Sequence, residues 1–260
     1  MWYQAACAPA ARRRATSSQV FPFKIVKVPR TAAVFFDVDF TLIHPGPRFQ
    51  GVGYQESCAR YGICLDAARF EAAVAGAHGL LESEDLLYDD AVFVRYTQRI
   101  IELMGGEGPD VVTVAKEIYE DWAEHRHFEL YEDVPAALRE LKGHGLRLGL
   151  ISNSHRPLRS FESHFGLDGL IDVTVSSYDH GYMKPHRSIF EAALREMAVE
   201  AGAAAMVGDS LAHDVAGARQ VGMQAILLAR NGAPAVATAE TLVIRSLGEL
   251  PSMLVTRDGK

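Results

Sequence analysis

The chain has 260 residues, 48% apolar and 23% charged, and a formal net charge of −7, so its length admits one large domain or a core with an insert. No apolar run approaches the ~18–20 residues that cross a bilayer, which sets a membrane span aside. Three cysteines (Cys7, Cys58, Cys64) without metal-ligand spacing set aside a disulfide framework and point to a reducing, cytoplasmic setting.

Residues 1–30 carry six basic residues and no acid, leaving −13 on the rest. This stretch reads as a disordered leader, with an organellar transit peptide as the alternative. The acidic remainder argues against nucleic acid as a main partner. Residues 31–36 form an apolar run that reads as a buried strand ending at Asp37. A turn-rich break follows at 44–49. From 50 to 128 the pattern is helical, with helices predicted over 54–61, 66–78, 85–104 and 109–125. Within them Leu86, Leu87, Phe93, Tyr96, Ile100 and Leu103 read as the insert's own core. His125-Arg126-His127 reads as a solvated helix end rather than a metal site.

Past 128 the period changes. Asp133 is a candidate N-cap for a helix running to 142. Strands are predicted at 146–151, 170–175, 204–207 and 224–228, and helices at 155–164, 188–197 and 211–221, with Ser188 as a cap. Alternating strands and helices imply a doubly wound parallel sheet of Rossmann-like α/β class. The predicted organisation is a core of 31–44 and 129–260 interrupted by an all-α cap at 45–128.

Four short segments carry chemistry, each at or beyond a predicted strand end, where an open α/β sheet places its ligand crevice. Asp37 and Asp39 stand two apart: one suits metal binding and attack on phosphorus, the other proton transfer. Ser152 and Asn153 precede a helix and suit an anion or a plain N-cap equally. Lys184, before Pro185, suits phosphoryl oxygens as a point charge, although a single lysine is more often a surface residue. Asp209 and Asp214, five apart across a helix start, suit Mg2+, a hard ion that takes few carboxylates; capping by Asp209 or Ser210 is the plainer alternative.

Together, Asp37-Val38-Asp39-Phe40-Thr41, Leu150-Ile151-Ser152-Asn153, Lys184 and Gly208-Asp209-Ser210-Leu211-Ala212-His213-Asp214 resemble the four motifs of the haloacid dehalogenase superfamily, from residue 31 to the C-terminus. The resemblance implies a phosphatase of small phosphorylated metabolites that works through an aspartyl-phosphate. Asp37 is then the nucleophile, Asp39 the acid/base and Thr41 the loop-orienting residue. Ser152, Asn153 and Lys184 would serve the phosphate. Mg2+ would be held by Asp37, the Asp39 backbone carbonyl, Asp209 and Asp214. The insert is similar to the family's helical C1 cap. Phe40 departs from the pattern, which usually has Gly there. A phosphomutase, a haloacid dehalogenase and a catalytically idle binding protein are the alternatives; dehalogenases typically lack the second acid, so Asp39 favours phosphoryl chemistry. Arg48 and Tyr54, just past the stiff Pro45-Gly46-Pro47 link, are candidate substrate contacts, with solvent exposure as the alternative. A monomer or homodimer without a membrane partner is expected.

Overall fold

The computed structural model describes residues 30–81, 86–230 and 241–255. The predicted leader, residues 1–30, lies outside the described residues apart from its last residue. Six parallel strands form one sheet in the order β5-β4-β1-β6-β7-β8. They are β1 (Ala33–Phe36), β4 (Arg147–Ser152), β5 (Val173–Ser176), β6 (Ala204–Gly208), β7 (Gln224–Leu228) and β8 (Leu242–Ile244). A separate antiparallel ribbon pairs β2 (Ile43–Pro45) with β3 (Phe128–Leu130), Ile43 opposite Leu130 and Pro45 opposite Phe128.

Strand alternation divides the core into two layers. Val34 and Phe36 face one side with Leu148, Leu150 and Val207, covered by α5 (Val134–Gly143), α6 (Phe161–Phe165) and α10 (Leu250–Leu254). Ala33 and Phe35 face the other with Met206 and Leu227, covered by α8 (Arg187–Met197) and α9 (Ala216–Gln220). Both faces of a parallel sheet are thereby buried, which explains why the strands read as unbroken apolar runs.

The ribbon carries four helices: α1 (Gly51–Ala59), α2 (Phe70–Ala77), α3 (Asp90–Leu103) and α4 (Val111–Asp121). Ile100, Ile101, Val114, Ala115 and Ile118 are buried between the last two. The first helix starts three residues before the predicted boundary. Its first turn passes so close to Ala67 that a Cβ on Gly51 would lie 2.4 Å from that carbonyl, and glycine permits the approach. The third begins later than predicted among the described residues, because the Asp89 side chain caps it by accepting from the Ala91 N–H (2.9 Å).

Other departures have local causes. The segment predicted as one helix at 155–164 is a 3-10 turn (Leu158–Ser160) followed by α6, after the break at Pro157. Asp133 makes no cap bond. Its carboxylate instead takes Arg230 (3.0 and 3.1 Å), the Ser246 hydroxyl (2.8 Å) and the Leu247 N–H (2.8 Å), tying α5 to the C-terminal segment. His186, not Ser188, caps α8. The predicted 211–221 helix opens with a π-helical turn (Leu211–Val215) before α9. Strands β2, β3 and β8 were beyond sequence patterning at three residues each. A short α7 (Ser177–His180) follows β5 directly.

Candidate active site

The sheet reverses its winding direction at β1, whose neighbours are β4 and β6. Such a switch point leaves a crevice at the strand carboxyl ends. Asp37 stands one residue past β1, its N–H donating to the Val207 carbonyl (2.9 Å). Ser152 ends β4, and Asp209 follows Gly208 at the end of β6. The loop between α7 and α8 (Arg187–Met197) brings in Lys184, almost wholly buried.

The Lys184 ammonium donates to Asp37 Oδ1 (2.5 Å), Asp214 Oδ1 (2.7 Å) and the Ile151 carbonyl (2.9 Å). Burial works against its charge, but Asp214 and Asp37 more than offset this and hold its pKa above the usual lysine range. Asp214 also accepts from the Ser210 N–H (3.0 Å). A Cβ on Gly208 would sit 2.2 Å from Asp214 Oδ2, so only glycine lets that carboxylate approach the end of β6. The π-helical turn belongs to the same arrangement: the N–H groups of Asp214 and Val215 both donate to the Ser210 carbonyl.

Oxygens of Asp37, Asp209 and Asp214 lie within 4.8 Å of one another. Desolvation raises Asp37 well above its ordinary range, Lys184 pulls it back, and Asp214 and Asp209 add to the rise. Asp209 is open to solvent at its outer side, yet desolvation and the Asp214 charge push it up to about 6. Three carboxylates beside one ammonium leave a formal charge of −2 in an all-oxygen donor set. That charge and that chemistry suit a hard divalent cation.

The remaining predicted residues fall in different places. The Ser152 hydroxyl is buried without a hydrogen-bond partner at the same crevice. The Asn153 amide is taken up by both backbone groups of Lys184, accepting from its N–H (2.7 Å) and donating to its carbonyl (3.0 Å). Its side chain therefore positions the lysine loop, with one amide N–H left over at the crevice. Thr41 is fully buried with an unpaired hydroxyl, and its carbonyl accepts from Arg230 (2.9 Å). Phe40 has φ +62°, the left-handed region that explains the usual glycine there, and is 46% exposed. Tyr54 is buried rather than solvent-exposed and lines a cavity beside Asp39.

Arg48 does not reach the crevice. Its guanidinium lies inside the helical insert, donating from Nε to Asp121 Oδ2 (2.7 Å), with Nη2 on the same oxygen and Nη1 on the Ser57 hydroxyl. Arg48→Ala is accordingly expected to act on stability. The lost charged hydrogen bonds correspond to about 1–3 kcal/mol, read as a lower Tm, with KM unchanged. A raised KM at unchanged Tm would return Arg48 to the substrate.

Sequence reasoning missed Arg156. This arginine is 1% exposed and lies in the loop that follows Ser152 at the end of β4. Its Nη1 donates to both Asp39 oxygens (2.9 and 3.0 Å), Nη2 donates to the Trp122 carbonyl (2.9 Å), and its guanidinium lies 4.0 Å over the Phe128 ring. It thus joins Asp39 to the segment that leads out of α4. The surrounding His125 is buried, not solvated, with Nε2 beside Ser160 Oγ (3.1 Å), and burial lowers its pKa to about 4.

A Rossmann-like parallel sheet whose switch point gathers three carboxylates and a buried lysine defines a doubly wound α/β protein with a candidate site for a cation and an anionic ligand at the strand ends. The sequence pattern of the haloacid dehalogenase-like hydrolases matches residues 31–222, and the chain belongs to that family. It is 34% identical over 119 residues to the Bos taurus haloacid dehalogenase-like hydrolase domain-containing protein 3, covering 46% of this chain and 47% of that one. The matched part thus spans about half the length of that relative and of its human and mouse counterparts. It is 30% identical over 201 residues to glyceraldehyde 3-phosphate phosphatase of Methanothermobacter thermautotrophicus, covering 75% of this chain and 84% of that one. Among solved structures, a HAD phosphatase from Thermococcus onnurineus superposes with a TM-score of 0.62 at 28% identity, covering 86% and 98% of the two chains. Among the described residues no helix is long and apolar enough to cross a membrane.

Proposed function

We propose that the protein is a Mg2+-dependent phosphatase of a small phosphorylated metabolite that works through an aspartyl-phosphate. The convergence of Asp37, Asp209 and Asp214, with a buried lysine paired to Asp37 and Asp214, carries this reading. An Asp37 oxygen attacks phosphorus while the bond to the leaving oxygen breaks, and Asp39 gives that oxygen its proton. Asp39 then takes a proton from water, whose oxygen attacks phosphorus and releases Asp37 and inorganic phosphate. Lys184 and the Ser152 hydroxyl take phosphoryl oxygens in this reading, which the buried, unpaired state of that hydroxyl supports. Mg2+ on Asp37, Asp209, Asp214 and the Asp39 carbonyl would offset the repulsion between these carboxylates and the incoming phosphate.

Residues 45–128 act as a cap domain over a core of 31–44 and 129–260, with the β2–β3 ribbon as the connection across which it tilts. The archaeal relative's name supports a small phosphorylated substrate. Free thiols at Cys58 and Cys64 support a reducing, cytoplasmic setting.

Phosphate release from a panel of phosphorylated metabolites tests this reading. Excess chelator is expected to abolish release, and Mg2+ to restore it. Full activity in excess chelator would remove the metal role, and no release from any member of the panel would remove the phosphatase reading.

A further inference from the structure

The crevice opens into a second space between the helical insert and the core. The catalytic groups line one cavity, and a neighbouring cavity of about 390 Å3 shares Asp39, Phe40, Phe93, Tyr96 and Asn153 with it. That volume lies within the range of about 300–1,000 Å3 typical of small-molecule sites. A phosphate at Lys184 would thus have its leaving group pass Asp39 into this second space.

The walls are aromatic. Phe49, Tyr54, Phe93, Tyr96, Tyr119 and Trp122 line it. Phe49 stacks on Trp122 at 4.5 Å, and Tyr119 stacks on His155 at 4.1 Å. Two hydroxyls of the lining are spent within the protein: those of Tyr88 and Tyr119 bond each other at 2.5 Å. Phe40 stands at the junction of the two cavities in a left-handed conformation that is unfavourable for a bulky residue. A strained, half-exposed aromatic beside an acid/base residue points to use rather than to packing.

Charge points the same way. Among the described lining residues the formal charges are Asp39 and Glu71, with neither lysine nor arginine. Arg48 is turned away onto Asp121, and Arg156 is engaged by Asp39 and Trp122. Burial and the Arg156 charge hold His155 below its ordinary range, so it offers no cation either. A second phosphate or a carboxylate on the leaving group would meet the Glu71 carboxylate and, among the described lining residues, no lysine or arginine, because Asp39 and Arg156 neutralise each other.

We propose that this cavity is a leaving-group pocket for an uncharged, flat apolar group, so that the preferred substrate class is the phosphate monoester of an aryl-bearing alcohol rather than a bisphosphate or a phosphorylated acid. The proposal rests on the phosphatase reading above.

The test compares 2-phenylethyl phosphate, propyl phosphate and propane-1,3-diol bisphosphate. The alcohols released have similar basicity, so chemistry alone does not rank them. The phenylethyl ester is expected to exceed the propyl ester in kcat/KM by about ten- to a hundredfold, a span that apolar pockets achieve, and the bisphosphate is expected to be the poorest. Phe40→Gly, which suits the backbone angle, should shrink the phenylethyl-to-propyl ratio several-fold. In parallel, Trp fluorescence is titrated with 2-phenylethylphosphonate and propylphosphonate, which cannot be hydrolysed.

Equal turnover of the first two esters, or preference for the bisphosphate, overturns the pocket and leaves the phosphatase reading standing. Selective binding of the aryl phosphonate without phosphate release from any ester removes the phosphatase reading and keeps the aryl pocket. Neither turnover nor selective binding overturns both.

Discussion

Asp37→Asn is expected to lower phosphate release by on the order of 10⁴–10⁶-fold, the scale at which removal of a covalent nucleophile is felt. The fold should persist. Asp37 lies one residue past β1, so no strand pairing depends on its side chain. Lys184 keeps Asp214 (2.7 Å) and the Ile151 carbonyl (2.9 Å), so the ammonium is not stranded in the interior. The substitution also removes one of three mutually repelling carboxylates, which offsets part of the loss of the charged hydrogen bond to lysine. Two measurements separate chemistry from folding. The far-ultraviolet spectrum and Tm should stay close to those of the parent protein. Acid-quenched parent protein should carry one added phosphoryl group by intact mass, and the variant none. Near-normal turnover by the variant would refute the assignment of Asp37 as nucleophile.

Asp37, Asp39, Ser152 and Asp209 stand out in the sequence because a parallel α/β sheet collects its chemistry at strand ends. A buried strand is legible as a short apolar run, and the residue after it is then a crevice residue by topology alone. Contacts that join distant parts of the chain leave no such trace. Arg156 and Asp39 are 117 residues apart, and Arg48 and Asp121 are 73 apart. Neither partner is marked by spacing. Arg48 beside a stiff link reads as a substrate contact, yet an acid at the far end of the helical insert claims it first. Phe93 and Tyr96 follow helical periodicity and read as insert core, whereas both line the cavities over Asp39. Periodicity identifies the inward face of a helix. It does not tell a face packed on protein from one that bounds an empty pocket.

Asp39→Asn is expected to slow hydrolysis of an unactivated alkyl phosphate by ~10²–10⁴-fold, the usual worth of a positioned acid or base. The size of the effect should depend on the leaving group. An activated ester departs without a proton, so phosphorylation of Asp37 by such an ester should be slowed far less. Return of Asp37 to the free carboxylate still needs a base for water, so the variant should accumulate the phosphorylated form with an activated ester. Arg156 adds a structural consequence. Its guanidinium is fully buried and binds both Asp39 oxygens, with the Trp122 carbonyl as its other acceptor. Asparagine keeps one acceptor and turns an amide N–H2 toward the cation. Stranding a buried charge costs up to roughly 3–5 kcal/mol, and the retained carbonyl should hold the loss below that. Tm should therefore fall in Asp39→Asn but not in Asp37→Asn. Arg156→Ala should share this loss of stability without sharing the leaving-group dependence, because it leaves the carboxylate in place. Single-turnover phosphorylation with an activated and an alkyl ester is the deciding measurement. Equal slowing of both by Asp39→Asn would show that the residue only supports the fold around Arg156 and transfers no proton to the leaving group.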